Sequence, residues 1–173
     1  MQEHKWELAR LSAGEKSALK RNAGIMMDHA SMEAVEAFFR ALPGNCAIGA
    51  EKVWFACLCM ECLWREEDYD QRRPFQELLR SIYQDKDATD SMRKRCTAFL
   101  DLPWSDDGFL LGKLCGLARI MRSGIPGAKP DFELLADDLL HWNHRDHYIQ
   151  RKWLGTICRV QKEDKEEATN HAD

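Results

Sequence analysis

Asp131-Phe-Glu-Leu-Leu-Ala-Asp-Asp-Leu-Leu-His-Trp-Asn-His-Arg-Asp-His-Tyr-Ile-Gln-Arg-Lys-Trp153 is the stretch on which the fold turns. Phe132, Leu135, Ala136, Leu139 and Leu140 recur at the spacing of one helix face, and Ile149, Trp153, Ile157 and Val160 repeat it further on. The polar run around Asn143 predicts a tight turn joining two amphipathic helices. Beside the second apolar stripe, Arg145, Lys152 and Arg159 stand seven residues apart. On one helix each would sit about 20° round from the last. A cationic row of that kind suits a phosphate backbone. An ordinary solvated helix face has the same pattern.

Working outward, the helical period persists. Ser12-Ala-Gly-Glu15 has the form of a capping box opening a helix through Lys20 and Arg21, with Gly24 to end it. Ser31 precedes a helix from Met32 to Leu42, broken by Pro43-Gly44. The run Ala47 to Trp64 is apolar on more than one side, which marks a central, buried helix. Pro74 suits a first helical position, ahead of Phe75, Leu78, Leu79 and Ile82. Gln84 to Asp90 is polar and is the expected boundary between lobes. Beyond it, Met92, Cys96, Phe99 and Leu100 mark a helix stopped by Pro103. Asp106-Asp107 opens a long one, ended by Ser123-Gly124-Ile-Pro126-Gly127, and Asp131 caps the next. No strand-like alternation of useful length stands out. The expectation is an all-α fold: a helical N-terminal lobe (1–88), a C-terminal bundle of about four helices (89–161), and an acidic, disordered tail (162–173).

The 173 residues are 45% hydrophobic and 31% charged, an ordinary globular composition. The net charge of −4 argues against a free-standing, avid nucleic-acid binder but leaves room for a local basic track. Much of the acidity is in the tail, where five acids from Glu163 to Asp173 face Lys162 and Lys165. No apolar run approaches the roughly 20 residues of a membrane span, and no signal-like apolar stretch follows Met1. Seven cysteines are an odd count and read as reduced thiols, so a cytoplasmic protein is expected.

The most tempting metal motif is Cys57-Leu-Cys59-Met-Glu-Cys62. It sits inside an apolar helical run rather than on a turn, so the cysteines read as small core hydrophobes. His141, His144 and His147 lie near Asp137, Asp138 and Asp146, but the turn at Asn143 divides them between two helices. They read as capping or solvated histidines. Nucleophilic catalysis has no Gly-x-Ser-x-Gly elbow, and no phosphate-binding glycine loop is present. Gly108, Gly112 and Gly116 recur at i+4, where small residues let a neighbour pack closely. No catalytic residue, metal site or cofactor is expected.

A family resemblance enters on three segments. Asp138-Leu-Leu-His-Trp142 with Asn143-His144 and Gln150-Arg151-Lys152-Trp153 resembles the closing signature of the CasB family, the small subunits of the type I-E CRISPR complex Cascade. Met92-Arg93-Lys94-Arg95 is similar to the basic segment that opens that family's C-terminal bundle, and Trp6-Glu-Leu-Ala-Arg-Leu11 with Lys20-Arg21 to its opening. On the long helix this chain has Gly112-Lys113 where many relatives carry an Arg-Arg pair. The resemblance implies a non-enzymatic subunit, two copies of which line an RNA-guided surveillance complex. It implies partners in the other Cascade subunits, a second copy of itself, crRNA and target DNA, with no membrane. Guide pairing supplies sequence recognition, so protein need supply only a non-specific cationic surface for the R-loop and displaced strand. The candidate phosphate contacts are Lys20, Arg21, Arg93, Lys94, Arg95, Arg119, Arg122, Arg145, Arg151 and Lys152. The other reading is a helical protein-interaction module without nucleic-acid binding, using Trp6, Trp104 and Tyr148 as exposed aromatics.

Overall fold

Ser12 opens the first helix as its spacing to Glu15 requires. Its hydroxyl accepts from the Glu15 amide and the Glu15 carboxylate accepts from the Ser12 amide, each at 3.2 Å. The computed structural model describes residues 4–47 and 49–160. Helix α1 is Ala13–Arg21 and α2 is Met32–Ala41, capped by the Ser31 hydroxyl. Asn22 joins them, donating to the Ala18 carbonyl at 2.8 Å and accepting from the Ser31 amide at 3.1 Å. Helix α3, Glu51–Glu61, is buried from Phe55 through Glu61, as a helix apolar all round must be.

The chain continues through β1 (Tyr69–Arg73), α4 (Phe75–Tyr83), α5 (Asp90–Ala98), α6 (Phe109–Gly124), β2 (Gly127–Pro130), α7 (Phe132–Leu140) and α8 (Tyr148–Cys158). Pro74 precedes α4 as its N-cap, Thr89 caps α5, and Asp131 caps α7 by accepting from the Leu134 amide. The α5 chain tightens into a 3-10 turn, Phe99–Asp101, before Pro103. Helix α3 packs on α7, α1 on α2 and α3, and α4 on both α5 and α8. The expected boundary at 88/89 falls in the turn between α4 and α5, and the buried apolar residues on its two sides form one cluster. The fold is mostly α, as expected.

The small sheet is the departure. Strands β1 and β2 pair in parallel, Arg72 opposite Lys129 and Arg73 opposite Pro130, with an irregularity between Tyr69 and Gln71. A parallel pair needs a crossover, here α4 through α6. Gly127 holds φ +81°, the left-handed region glycine enters without strain. Beneath the sheet lies a polar cluster. The Lys129 ammonium donates to Glu61 at 2.8 Å and to the Tyr69 hydroxyl at 3.0 Å, and the Trp6 indole donates to the other Glu61 oxygen. Lys129 and Glu61 are 1% and 3% exposed. Burial raises the Tyr69 phenol, but bonds from Lys129 and Arg72 outweigh it and hold it below its ordinary value.

Three further expectations change. Trp6 is buried, because its indole serves this cluster, so it is not an exposed aromatic. Gly108 is the left-handed N-cap of α6, with φ +73°, rather than a helical position. Val160 lies past the end of α8 and is exposed. The acidic tail, 162–173, lies outside the described residues.

Candidate nucleic-acid interface

The turn between α7 and α8 is built by its own signature residues. Asn143 clasps the Trp104 backbone, accepting from its amide and donating to its carbonyl, both at 2.8 Å. The Trp142 indole donates to the Leu102 carbonyl at 2.9 Å, and Gln150 donates to the Trp142 carbonyl at 2.7 Å. Trp153 donates to the Asp138 carboxylate at 2.8 Å and meets Trp142 edge-on, with ring centroids 5.2 Å apart. Burial holds the Asp138 carboxyl above its ordinary range, although the Trp153 bond and the Lys152 charge oppose this. Thus Trp142, Asn143, Gln150 and Trp153 fix the fold, and Arg151 and Lys152 between them face solvent.

His141 ends α7 and His147 begins α8 in a left-handed conformation, φ +50°, with His144 between them in the turn. Asn143 divides them as expected. Arg145 belongs to the same turn and Arg159 follows α8, so only Lys152 of the expected cationic row is helical. The 20° phase argument therefore does not hold for Arg145 and Arg159, because it needs one unbroken helix. Cys57 and Cys59 are fully buried in α3, where burial pushes both thiols well up, and Cys62 is pushed up to about 12 by the same cause. These are neutral packing groups.

The ten candidate cations separate into groups. Arg93 turns inward, donating to the Tyr83 and Asp85 carbonyls at 3.1 and 3.3 Å, so it closes the α4–α5 turn. Arg122 donates to the Leu63 carbonyl and, at 3.0 Å, to Asp68, which ties α6 to the end of α3. Asp68 is held below the usual carboxylate range, first by the Arg65 amide and then by Arg122. Arg21 pairs with Glu33 at 3.5 Å. Lys20 lines a cavity of about 400 Å³ with Lys16 and Arg65, but Glu66 and Glu67 line it too. Arg119 is exposed on α6 and acts on Cys115, whose thiol burial raises and Arg119 partly lowers.

Lys94 and Arg95 are brought together with Lys113, which was not among the ten. All three line one groove between α5 and α6, of about 700 Å³, and no acidic side chain lines it. Its apolar part comes from Ala98, Phe99, Leu102 and Leu117, and Gly112 and Gly116 also line it. Leu102 is shared with a second cavity of about 510 Å³, which Arg151 lines with His147 and Asp101. Lys113 stands where the family resemblance puts the second residue of an Arg-Arg pair, and that was the signal that could have added it to the candidates. It joins Lys94 and Arg95 only once α5 and α6 are paired.

A family model for CRISPR-associated protein Cse2 matches residues 15–156. The chain belongs to the Cse2 family. Three solved structures share the fold of this Cse2-family chain. A chain described as part of a CRISPR RNA-guided surveillance complex is 19% identical, with a TM-score of 0.69 over 91% of this chain and 88% of that one. CasB from M. ruber is 18% identical, with a TM-score of 0.64 over 93% and 91%. A Cse2-family protein from Thermus thermophilus is 20% identical, with a TM-score of 0.61 over 83% and 84%. No curated protein matches the sequence. Among the described residues, no helix is long and apolar enough to cross a membrane.

Proposed function

We propose that this Cse2-family chain is a non-catalytic subunit of an RNA-guided CRISPR surveillance complex, and that its basic groove steadies the R-loop and displaced strand. Lys94, Arg95 and Lys113 on one acid-free groove carry this reading, in a chain whose net charge is negative. A cationic groove follows a phosphate backbone without reading bases. Opening a target is a nearly balanced exchange of duplexes, so a few such contacts tip it. Neighbouring subunits hold the chain at high effective concentration, so tight binding by the isolated chain is unnecessary. The other Cascade subunits, a second copy, crRNA and target DNA are its partners in this reading, in the cytoplasm. Arg151 and Lys152 extend the surface; Arg93 and Arg122 serve the fold.

The test is target-DNA binding by the assembled complex carrying Lys94→Ala, Arg95→Ala and Lys113→Ala together. Affinity falls, and the slope of log K against log salt flattens by about two, at roughly 0.7 for each single-strand phosphate left without its cation. Unchanged affinity and slope in a fully assembled variant refute the assignment.

A further inference from the structure

The groove between α5 and α6 holds more than a cationic rim. We propose that it seats unpaired nucleobases of the bound strand against the bare backbone of α6 at Gly112, beside the Arg95 guanidinium that covers Gly116. This rests on the nucleic-acid reading of the same groove. Two helix-interior glycines are the starting point. Glycine inside a helix costs about 0.5–1 kcal/mol relative to alanine, so a packing or conformational reason is expected. Neither is present at Gly112. It lies inside the α-helix Phe109–Gly124 without a positive φ, and a Cβ there would meet nothing within 4 Å. No described part of this chain packs against it, so the close neighbour that small residues invite comes from outside.

The lining says which kind of neighbour fits. A flat, planar partner can lie on helix backbone that carries no Cβ. Ala98, Leu102 and Leu117 supply apolar contact around it, and Phe99, beneath, is already stacked on Trp142 at 6.2 Å and stays in the core. The Arg95 guanidinium stands 3.7 Å from where a Gly116 Cβ would be, so it overhangs the same floor, where a guanidinium plane stacks on a base. Lys94 and Lys113 are exposed on the two helices and meet phosphates on either side of the base. Cations without acids fit a nucleotide chain by charge. A displaced strand offers unpaired bases; a duplex does not.

The experiment uses the full chain at low salt and fluorescence anisotropy with two labelled single strands of equal length, one intact and one abasic. The wild type prefers the intact strand by roughly tenfold, the order expected from one stacked base. Gly112→Leu adds a Cβ that meets nothing within 4 Å and improves helix propensity, so its thermal midpoint does not fall. It binds the intact strand no better than the abasic one, with abasic affinity and salt slope unchanged. The triple variant of Lys94, Arg95 and Lys113 weakens both strands. Equal binding of the intact strand by wild type and Gly112→Leu, with the triple variant still weakened, overturns base seating and leaves the backbone reading standing. A triple variant that binds both strands like wild type overturns the two together. Displacement of the intact strand by a poly-glutamate peptide more readily than by the abasic strand assigns the groove to an acidic protein segment and overturns the proposal.

Discussion

Replacing Lys129 by Met removes the positive member of a pair buried beneath the sheet. At 2.8 Å, and with an effective dielectric constant near 20, the attraction between Lys129 and Glu61 is about 6 kcal/mol before desolvation is charged against it. The net value of such a pair is far smaller, because both ions leave water. Removing one partner is another matter. Among the described residues, Glu61, 3% exposed, then keeps only the Trp6 indole as a side-chain hydrogen-bond donor, and a buried charge that loses its partner costs about 3–5 kcal/mol. For a chain of this size each kcal/mol moves the midpoint by about 2–4 °C, so Lys129→Met melts roughly 6–20 °C lower. Glu61→Gln added to Lys129→Met removes the stranded charge and still accepts from Trp6. The double variant therefore recovers about 2 kcal/mol or more. Guanidinium unfolding of wild type, both single variants and the double, followed by tryptophan fluorescence and far-UV circular dichroism, closes the cycle. A loss under about 1 kcal/mol for Lys129→Met, or a double variant no more stable than that single one, refutes the reasoning.

Arg122→Ala loses its bonds to the Leu63 carbonyl and Asp68 and destabilises the chain by about 1–3 kcal/mol, yet leaves salt-dependent DNA binding by the assembled complex unchanged. Chemical denaturation and anisotropy check the two halves of that statement; weakened binding in an intact complex returns Arg122 to the interface. Asn143→Ala opens the clasp on Trp104 and costs about 1–2 kcal/mol in denaturant unfolding, whereas His144→Ala beside it costs under about 0.5 kcal/mol. Equal losses would show that the clasp adds nothing. Asp138 has a raised folded pKa, so its contribution is complete below the ordinary value of 3.8 and is lost as pH rises through the folded value. Asp138→Asn, whose side-chain carbonyl still accepts from Trp153, therefore gains stability relative to wild type as pH rises from about 4 to 7. Melting curves across that range test the sign, and a flat difference rejects it.

The helices were legible because their signals are local. Ser12 with Glu15, Ser31 and Asp131 cap where their spacing to the apolar stripes placed them, and the turn at Asn143 fell where polarity interrupts two periodic runs. The sheet was not legible. Tyr69-Asp-Gln-Arg-Arg73 is polar and exposed through its middle, and Gly127-Ala-Lys-Pro130 is too short to alternate. What orders these strands is a lysine and a glutamate 68 residues apart, a pairing without a local pattern. The candidate interface was half legible for a related reason. Basic residue types mark candidates, but Arg93 and Arg122 resemble Lys94 and Arg95 until the carbonyls they bind are placed. The closing signature identified the family through residues that mostly build the turn.

The link between Glu61 and Lys129 also orders events during synthesis. At about 5–20 residues per second, a ribosome makes Lys129 roughly 3–14 s after Glu61, since 68 residues separate them. Over that interval α3 has neither its counter-ion nor α7, the helix it packs against. The side of α3 that meets α1 and α2 finds those helices already made, but the side that meets α7 is made before its cover. The chain therefore finishes its core late in translation, with one side of its most deeply buried helix uncovered until the last third of the molecule arrives.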